Sequence, residues 1–245
     1  MGRDKGKALI TGGGSGIGLA VAKRLAAEGY CPVVAGRGED RLKQTGLDYA
    51  VLDVTDRAGI AQSVAEHGPF AVVVSNAGIA PTAPALKTSP ELWDEVLAIN
   101  LTGAYNLAMA TLPAMVEAGH GRFIAIASTS ALRAYRYTMA YTASKHGVLG
   151  LVRTLALELA GKGVTCNAIC PGFTDTEIVR QSVRTIVEKT GRSEAEAMIA
   201  FTGDNPMSRL IAPEEVADAV AWLCSEGASS VNGVALPLDG GESAG

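Results

Sequence analysis

The sequence TGGGSGIG, residues 11–18, follows a short apolar run and precedes a helical pattern. The common dinucleotide-binding fingerprint has glycine at its first, third and sixth positions. Counted from Gly12 the sixth position is Ile17, and counted from Gly14 it is Leu19, so neither frame matches. Glycines at the start of a helix nevertheless expose backbone N–H groups, which attract anions whatever the glycine spacing. We therefore predict an anion-binding loop here, with a tight turn that binds nothing as the alternative.

Short apolar runs alternate with helical patterns along the rest of the chain. Most of the runs are continuously apolar, which is typical of parallel strands buried on both faces. The predicted strands are 7–11, 32–35, 49–52, 71–75, 122–127, 164–169 and 234–238. Helical periodicity covers 16–28, 57–66, 91–116, 139–160 and 214–224. This alternation predicts an α/β fold over residues 1–245, with a single Rossmann-like doubly wound parallel sheet of about seven strands and helices on both faces.

Two connections depart from regular alternation. The link GRGEDRLKQTGLD, residues 36–48, is barely long enough for a crossover, so we expect its helix to have one or two turns. Residues 173–213 exceed a plain connection and contain a helical piece around 177–201. In open α/β sheets, ligands bind outside the carboxyl ends of the strands. We therefore interpret 173–213 as a substrate-loop insertion at that edge of the sheet.

Composition and charge argue against several classes of function. The formal net charge is -4 and the basic residues form no run, so neither nucleic acid nor a membrane surface is an expected partner. The uncharged run from Pro69 to Leu86 contains Pro81 and Pro84, and we interpret it as a buried strand plus a loop. The opening stretch MGRDKGKALI has no pattern of an export signal, which favours a cytoplasmic protein.

Cysteine and histidine residues give neither a disulfide nor a metal pattern. The four cysteines have no CxxC spacing, and we expect all of them to be buried thiols: Cys31, Cys166, Cys170 and Cys224. No cluster of histidine, cysteine and carboxylate residues has metal-ligand spacing, so no metal is predicted.

Several motifs together resemble the short-chain dehydrogenase/reductase family, in order and spacing, across nearly the whole chain. Gly12, Gly16 and Gly18 form the pattern TGxxxGxG, which resembles that family's dinucleotide turn. The other matches are Asp53–Val54, SNAG at 75–78, Asn100 in AINLTGAY, Ser128, Tyr141 and Lys145 in YTASK, PGFTDT at 171–176 and LDGG at 238–241. Two positions depart from the pattern: Ser75 replaces the first Asn of NNAG, and Ala71 replaces a common Asp.

The resemblance implies a nicotinamide cofactor and assigns residues to it. The glycine loop would hold the pyrophosphate, the Asp53–Val54 pair would contact the adenine, and residues 171–176 would flank the nicotinamide. The predicted cofactor contacts are Gly12, Gly14, Ser15, Gly16, Ile17, Gly18, Arg37, Asp53, Val54, Asn76, Ala77, Gly78, Tyr141, Lys145, Pro171, Gly172, Thr174 and Thr176.

The end of the second strand predicts which nicotinamide cofactor is used. Gly36 lies where an NAD-dependent enzyme places a carboxylate for the ribose 2′-hydroxyl, and the adjacent Arg37 suits a 2′-phosphate. NADP(H) is therefore favoured. The nearby Glu39 and Asp40 keep NAD(H) possible, and the alternatives for Arg37 are stacking on the adenine or simple solvation.

Tyr141 and Lys145 are four residues apart, so they share one face of a helix. A free tyrosine has a pKa near 10, and lowering this pKa by about three units requires roughly 4 kcal/mol. Lys145 and an oxidised nicotinamide ring are the expected sources of that stabilisation. Without the family context, the alternative for such a spacing is a surface pair.

The resemblance also implies the catalytic roles. Tyr141 would exchange a proton with the substrate oxygen, and Ser128 would hydrogen-bond that oxygen. Lys145 would bind the nicotinamide ribose, and Asn100 would position a water that links Lys145 to solvent.

The segment STSALRAYRYTMAY, residues 128–141, would line the mouth of the site in the resembled family. The predicted substrate contacts are Ser130, Arg133, Arg136 and Phe173. Two arginines here would suit an acidic carrier such as the phosphates of coenzyme A, with a solvated loop as the alternative.

The resemblance predicts an oxidoreductase that interconverts a carbonyl group and a secondary alcohol, most similar to enzymes of 3-oxoacyl and 3-hydroxyacyl thioesters. The substrate would be a small molecule, carried by coenzyme A or by an acyl carrier. Alternatives are a dehydrogenase of a small secondary alcohol, a polyketide-type ketoreductase and a regulator that binds the cofactor without catalysis. The resemblance further implies a homotetramer built through the helices at 91–116 and 139–160 and the C-terminal strand.

Overall fold

The computed structural model describes residues 5–244, in which seven strands form one parallel sheet. The strands are β1 (Lys7–Thr11), β2 (Cys31–Gly36), β3 (Asp48–Val51), β4 (Phe70–Ser75), β5 (Gly121–Ile126), β6 (Val164–Pro171) and β7 (Ala235–Leu238). Their order in the sheet is β3-β2-β1-β4-β5-β6-β7, and every neighbouring pair is parallel. The predicted doubly wound sheet is confirmed. The predicted single domain includes residues 1–4 and 245, and the stretch predicted to carry no export signal includes residues 1–4. All five residues lie outside the described residues.

Helices cover both faces of the sheet because each parallel connection must cross over it. They are α1 (Gly16–Ala27), α2 (Glu39–Lys43), α3 (Arg57–His67), α4 (Pro90–Leu97), α5 (Gly103–Glu117), α6 (Met139–Leu159), α7 (Glu177–Thr190), α8 (Glu194–Thr202) and α9 (Pro213–Cys224). The short helix predicted between the second and third strands is α2. The run from Pro69 to Leu86 is β4 followed by a loop and the start of a 3₁₀ turn, as predicted.

Each face of the sheet has its own apolar core, because successive strand residues point in opposite directions. In β1, Leu9 packs into the core that includes side chains of α5 and α6. Its neighbours Ala8 and Ile10 pack into the core that includes side chains of α1 and α9. The same alternation in β4 and β5 explains why these strands are continuously apolar in sequence.

The helical pattern at 91–116 is not one regular helix. A π-helical segment, Ala98–Thr102, separates α4 from α5, so the prediction of a single helix is wrong at this point. One-turn π segments occur often at functional sites, and this one carries the buried Asn100. Apolar periodicity cannot reveal it, because one extra residue in a turn leaves the pattern on either side intact.

The insertion contains two helices where the sequence predicted one piece around 177–201. Gly191 ends α7 in the left-handed conformation, with φ of 69°. Ser193 then begins α8 with a capping box, in which its hydroxyl accepts from Glu196 N and the Glu196 carboxylate accepts from Ser193 N. A parallel bridge between Thr174 and Ile211 joins the two ends of the insertion beyond the carboxyl end of β6.

The cysteines do not all behave as predicted. Cys166, Cys170 and Cys224 are buried, but Cys31 is exposed because it is the first residue of β2 and lies at the rim of the sheet. Across residues 5–244, no helix is both long and apolar enough to cross a membrane. Within the same range, no group of three or more His, Cys, Asp or Glu side chains is arranged to hold a metal ion.

The junction between the insertion and α9 gives a test of the fold. Glu215 accepts two hydrogen bonds from Arg209, at 2.7 and 2.8 Å, and one from Ala212 N at 2.7 Å. These bonds lower the pKa of Glu215 to about 2, and the bonds from Arg209 have the largest effect. Because the folded-state pKa lies below its ordinary value of 4.5, the stabilisation is complete above that pH and is lost as the pH falls toward 2.

Glu215→Gln should therefore lower the melting temperature at pH 7 and lower it progressively less between about pH 5 and pH 2. The difference at pH 7 should not exceed about 3 °C, because both partners are about two-fifths exposed. Calorimetry of both proteins across this pH range checks the expectation. Glu214→Gln, at an exposed position in the same helical turn, is the control. A difference that stays constant down to pH 3 would contradict the account.

Candidate active site

The glycine loop between β1 and α1 forms one wall of the candidate site. Gly12 and Gly16 have φ of +65° and +51°, a conformation that other residues rarely adopt. A Cβ at Gly18 would lie 2.7 Å from Asn76 Nδ2 and closer still to the Gly12 carbonyl oxygen, so no other residue fits without movement. The loop therefore has glycine, which carries no side chain, where it bends and where α1 begins.

A cavity of about 600 Å³ lies between this loop and the end of β2. Its lining includes Gly14, Ser15, Gly36 and Arg37. Ser15 is the N-cap of α1, its side chain makes no capping bond, and it lines the cavity, so the start of the helix borders the cavity. A positive helix terminus, a glycine-lined wall and this volume fit the phosphates and adenosine of a dinucleotide.

Hydrogen bonds to Thr11 support the glycine loop from the neighbouring strand. Thr11 Oγ1 accepts from the backbone N–H groups of Asn76 and Ala77, at 3.0 and 3.1 Å. Asn76 Nδ2 donates to the Thr11 carbonyl oxygen at 2.9 Å. The side chain of Asn76 thus holds the loop in place, although the sequence suggested only that it contacts the cofactor. The side chain of Ile17 packs against the apolar core that includes α1 and α9.

The predicted adenine pair follows β3. Asp53 accepts from Thr55 N and Thr55 Oγ1, at 2.9 and 2.7 Å, and these bonds lower its pKa. Val54 is buried against Gly103, and its carbonyl oxygen accepts from Asn106 Nδ2 at 3.0 Å. The pair is therefore anchored to the start of α5, next to the π-helical segment.

Asn100 and Lys145 converge beside Gly78. Asn100 exchanges two hydrogen bonds of 2.9 Å with the backbone of Ile79 and donates a third, of 3.1 Å, to Ser144 Oγ. Lys145 Nζ donates to the Ile126 carbonyl oxygen at 2.8 Å. A Cβ at Gly78 would lie 3.1 Å from Asn100 Oδ1 and 3.8 Å from Lys145 Nζ, so the glycine lets these groups approach each other. The side chain of Asn100 stabilises this junction, and its role toward a water stays a prediction.

Ser128, Tyr141 and Lys145 lie together beyond the end of β5. Ser128 follows that strand, and its Oγ accepts from Ser130 N at 3.0 Å. Tyr141 lies in the first turn of α6, and Lys145 is buried one turn later. Lys145 Nζ is 5.6 Å from the centre of the Tyr141 ring. The structure therefore brings together the three side chains that the sequence proposed for proton transfer.

Burial dominates the ionisation of this group. It raises the pKa of Tyr141, while the neighbouring Ser128 hydroxyl acts in the opposite direction. It lowers the pKa of Lys145 to about 8. The expectation that Lys145 and an oxidised nicotinamide ring together lower the pKa of Tyr141 stays a prediction, since loss of water acts on the phenol in the opposite direction.

The mouth of the site is less open than the sequence suggested. Arg133 is exposed, but it stacks over Tyr135 and donates to the Glu242 carbonyl oxygen at 3.0 Å. Ser130 is buried, whereas Arg136 is exposed. Phe173 packs edge-to-face on Tyr135, with a centroid distance of 6.3 Å. Of the predicted substrate contacts, Ser130 is thus buried, Arg133 is exposed but engaged within the chain, and Arg136 and Phe173 are exposed.

Residues 171–176 link the mouth to the glycine loop. Pro171 pairs with Leu238 in the sheet, and Gly172 N donates to the Leu238 carbonyl oxygen at 3.0 Å. Thr174 is buried, and its hydroxyl donates to the Gly172 carbonyl oxygen at 3.1 Å. Thr176 approaches the glycine loop, because its Cγ2 would lie 3.2 Å from a Cβ at Gly16. The predicted nicotinamide segment therefore lies against the predicted phosphate loop.

Sequence reasoning did not identify two further residues of the site. The Arg41 stem crosses the loop, with its Cγ 3.1 Å from a Cβ placed at Gly14. Cys170 is fully buried next to the catalytic group, and burial raises the pKa of its thiol to about 11. Arg41 is one of several charged residues in a short helix, and no spacing rule marked it. Cys170 precedes the PGFTDT motif, which was the only available signal.

Comparison with known proteins decides the family. Residues 12–243 match the sequence model of a family described as enoyl-(acyl carrier protein) reductase. The chain belongs to the short-chain dehydrogenase/reductase family. It is therefore an oxidoreductase that interconverts a carbonyl group and a secondary alcohol with a nicotinamide cofactor.

Individual members of the family are similar over almost their whole length. A putative ketoacyl reductase of Streptomyces coelicolor is 38% identical, and the match covers 98% of this chain and 97% of that protein. A D-beta-hydroxybutyrate dehydrogenase of Cupriavidus necator is 36% identical, with 96% of each chain covered. The crystal structure of a single-substitution variant of actinorhodin polyketide ketoreductase with NADPH superposes with a TM-score of 0.91 at 36% identity, covering 99% of this chain and 98% of that one.

The crowding at Gly18 predicts a defect in cofactor binding. Gly18→Ala should weaken binding of the nicotinamide cofactor at least about tenfold, because the added methyl group collides with the loop backbone and with Asn76. Gly14→Ala should cost much less, because the nearest obstacle is the flexible Arg41 side chain. Fluorescence titration with NADPH measures both variants. Equal losses at the two positions would show that the contacts at Gly18 do not shape the loop.

Proposed function

We propose that this enzyme reduces 3-oxoacyl thioesters to 3-hydroxyacyl thioesters with NADPH. The observation that carries the proposal is the grouping of Ser128, Tyr141 and Lys145 beyond the end of β5, with Lys145 Nζ 5.6 Å from the centre of the Tyr141 ring. A protonated phenol is the form required for reduction of a carbonyl group. The ketoreductase names of two similar proteins support the acyl part of the substrate.

The side chains of this enzyme can perform the proton transfer as follows. Ser128 hydrogen-bonds the substrate carbonyl oxygen and holds it next to the Tyr141 hydroxyl. Tyr141 donates its proton to that oxygen as negative charge develops on it. Lys145, which donates to the Ile126 carbonyl oxygen, holds a positive charge near the phenol and binds the ribose of the cofactor in this proposal. The bound nicotinamide supplies the hydride.

The preference for NADPH is supported by charges at the end of β2. Gly36 offers no carboxylate to a ribose, and Arg37 and Arg41 both line the cavity there. Glu39 pairs with Lys43 at 2.9 Å, whereas Asp40 also lines the cavity and keeps NAD(H) as the alternative. The two arginines can meet a 2′-phosphate with charge-assisted hydrogen bonds.

The proposed homotetramer has partial support from the surface of the helices. Tyr105 and Met109 on α5 are each 42% exposed, and Leu157 on α6 is 83% exposed. These apolar side chains lie on the two helices that the family resemblance assigns to subunit contacts. We therefore propose that α5 and α6 pack against other copies of the chain.

Acetoacetyl-coenzyme A and free acetoacetate test the substrate, because they share the reacting group and differ in the thioester. We expect NADPH-dependent turnover with the thioester to exceed that with acetoacetate. Tyr141→Phe should lower turnover by about 10²- to 10⁴-fold, because it removes the proton donor, and should leave NADPH affinity unchanged. A preference for acetoacetate would favour a function like that of the similar hydroxybutyrate dehydrogenase. Activity retained in Tyr141→Phe would remove Tyr141 from catalysis.

The cofactor assignment is tested at Arg37 and Arg41. Replacing either with Ala should raise KM for NADPH by about tenfold or more and leave KM for NADH nearly unchanged, because only NADPH carries the 2′-phosphate. Initial rates with each cofactor give the two constants. Equal changes for both cofactors would indicate that the arginine contacts the adenine or the ribose instead.

A further inference from the structure

Tyr135 joins three segments that are far apart in sequence. It belongs to the substrate loop, residues 128–138, and lies six residues before Tyr141. Its hydroxyl donates to the Glu242 carboxylate in the C-terminal segment, residues 239–244. Its ring packs edge-to-face on Phe173 at the start of the insertion. Phe173 in turn packs edge-to-face on Phe201 of α8, with a centroid distance of 5.1 Å.

The C-terminal segment presents Glu242 from an ordered turn. The buried Asp239 carboxylate accepts from Gly241 N and Ser243 N, at 2.9 Å each, and from the Ser243 hydroxyl. Glu242 N donates to the Asp239 carbonyl oxygen at 3.2 Å. The backbone on both sides of Glu242 is thereby fixed, so its carboxylate reaches Tyr135 without further ordering of the chain.

Arg133 adds a second connection between the same two segments. Its guanidinium donates to the Glu242 carbonyl oxygen at 3.0 Å and stacks over the Tyr135 ring at 5.1 Å. The arginine that the sequence offered as a contact for an acidic carrier is thus engaged within the chain.

The contact continues from Tyr135 to the catalytic helix and to the nicotinamide segment. The Tyr135 carbonyl oxygen accepts from Thr138 Oγ1 at 3.0 Å, and Thr138 Oγ1 lies 2.9 Å from Thr142 Oγ1. Thr142 follows Tyr141 directly. A Cβ at Gly172 would lie 3.4 Å from Glu242 Oε2, so the carboxylate also borders the segment that follows β6.

We propose that Tyr135 and Glu242 form a clasp that holds the substrate loop, the insertion and the C-terminal segment together as one wall of the substrate pocket. Both are positioning residues, since neither touches the reacting atoms. Burial and the bond to Glu242 raise the pKa of Tyr135, so the phenol remains a donor throughout the neutral range. The clasp stands on geometry alone, and only its effect on turnover rests on the proposed thioester reduction.

Loss of the clasp should therefore weaken substrate binding and leave the chemical step nearly unchanged. Without the clasp, the wall formed by Tyr135 and Phe173 is free to move relative to Tyr141, so substrate is held less well. Among the described residues, no hydrogen bond or ring contact joins Tyr135 to the glycine loop or to Lys145, so cofactor binding and proton transfer are expected to persist. We expect KM for acetoacetyl-coenzyme A to rise about five- to tenfold, with kcat within about twofold and NADPH affinity unchanged.

The experiment compares Tyr135→Phe with Tyr137→Phe in the full-length protein. Both changes remove one hydroxyl from the same loop, but the Tyr137 side chain is 58% exposed and its contact with Ala83 N is through the backbone. Hydrogen exchange followed by mass spectrometry is measured over residues 128–138 and 239–244. Tyr135→Phe should speed exchange in both segments by about tenfold, because a bond to a charged acceptor is lost, whereas Tyr137→Phe should match the wild type.

Glu242→Ala and the double variant Tyr135→Phe/Glu242→Ala complete a cycle. If the two residues act through one bond, the double variant exchanges no faster in residues 128–138 than the faster single variant. Additive effects, or equal exchange in Tyr135→Phe and Tyr137→Phe, would overturn the clasp.

The exchange measurement needs no substrate, so absence of thioester turnover would reject the proposed function and leave the test of the clasp intact. If turnover occurs and exchange rises while KM stays constant, the role in substrate positioning is overturned.

Discussion

The close approach of α1 to the end of β1 is the constraint on which the whole site depends. It is possible only because Gly18 has no side chain to strike the Gly12 carbonyl oxygen and Asn76. Asn76 and Thr11 then tie this turn to β4, the next strand of the sheet. The helix terminus that would face the cofactor phosphates is therefore held by the sheet itself, and a single methyl group at Gly18 would disturb both.

Burial has opposite electrostatic consequences for the two catalytic partners. It raises the pKa of Tyr141 and lowers that of Lys145, because the charged form of each group is the one penalised by loss of water. In both cases the neutral form gains. The hydrogen bond from Lys145 Nζ to the Ile126 carbonyl oxygen holds the lysine in position.

The order of strands and helices was largely predictable, since each face of the sheet needs its own apolar residues and β1 and β4 supply them in alternation. The π-helical segment at Asn100 was not predictable, because its extra residue leaves no mark in apolar periodicity. The break between α7 and α8 had local signals in Gly191 and Ser193, which a reading by periodicity alone overlooks. The prediction that Cys31 is buried was wrong, because the first residue of a strand lies at the rim of the sheet, where an apolar run in the sequence does not show whether the residue is covered.

By itself, the sequence determined the parallel sheet and the glycine loop through local patterns, and its resemblance to the short-chain dehydrogenase/reductase family supplied the candidate proton-transfer group. Only the tertiary structure decided which charges are free to meet a ligand. Arg133 is engaged by the C-terminal segment and Glu39 is paired with Lys43, whereas Arg41 crosses the glycine loop. Such pairings join residues from a few to more than one hundred positions apart, and they depend on how the folded elements are arranged around them.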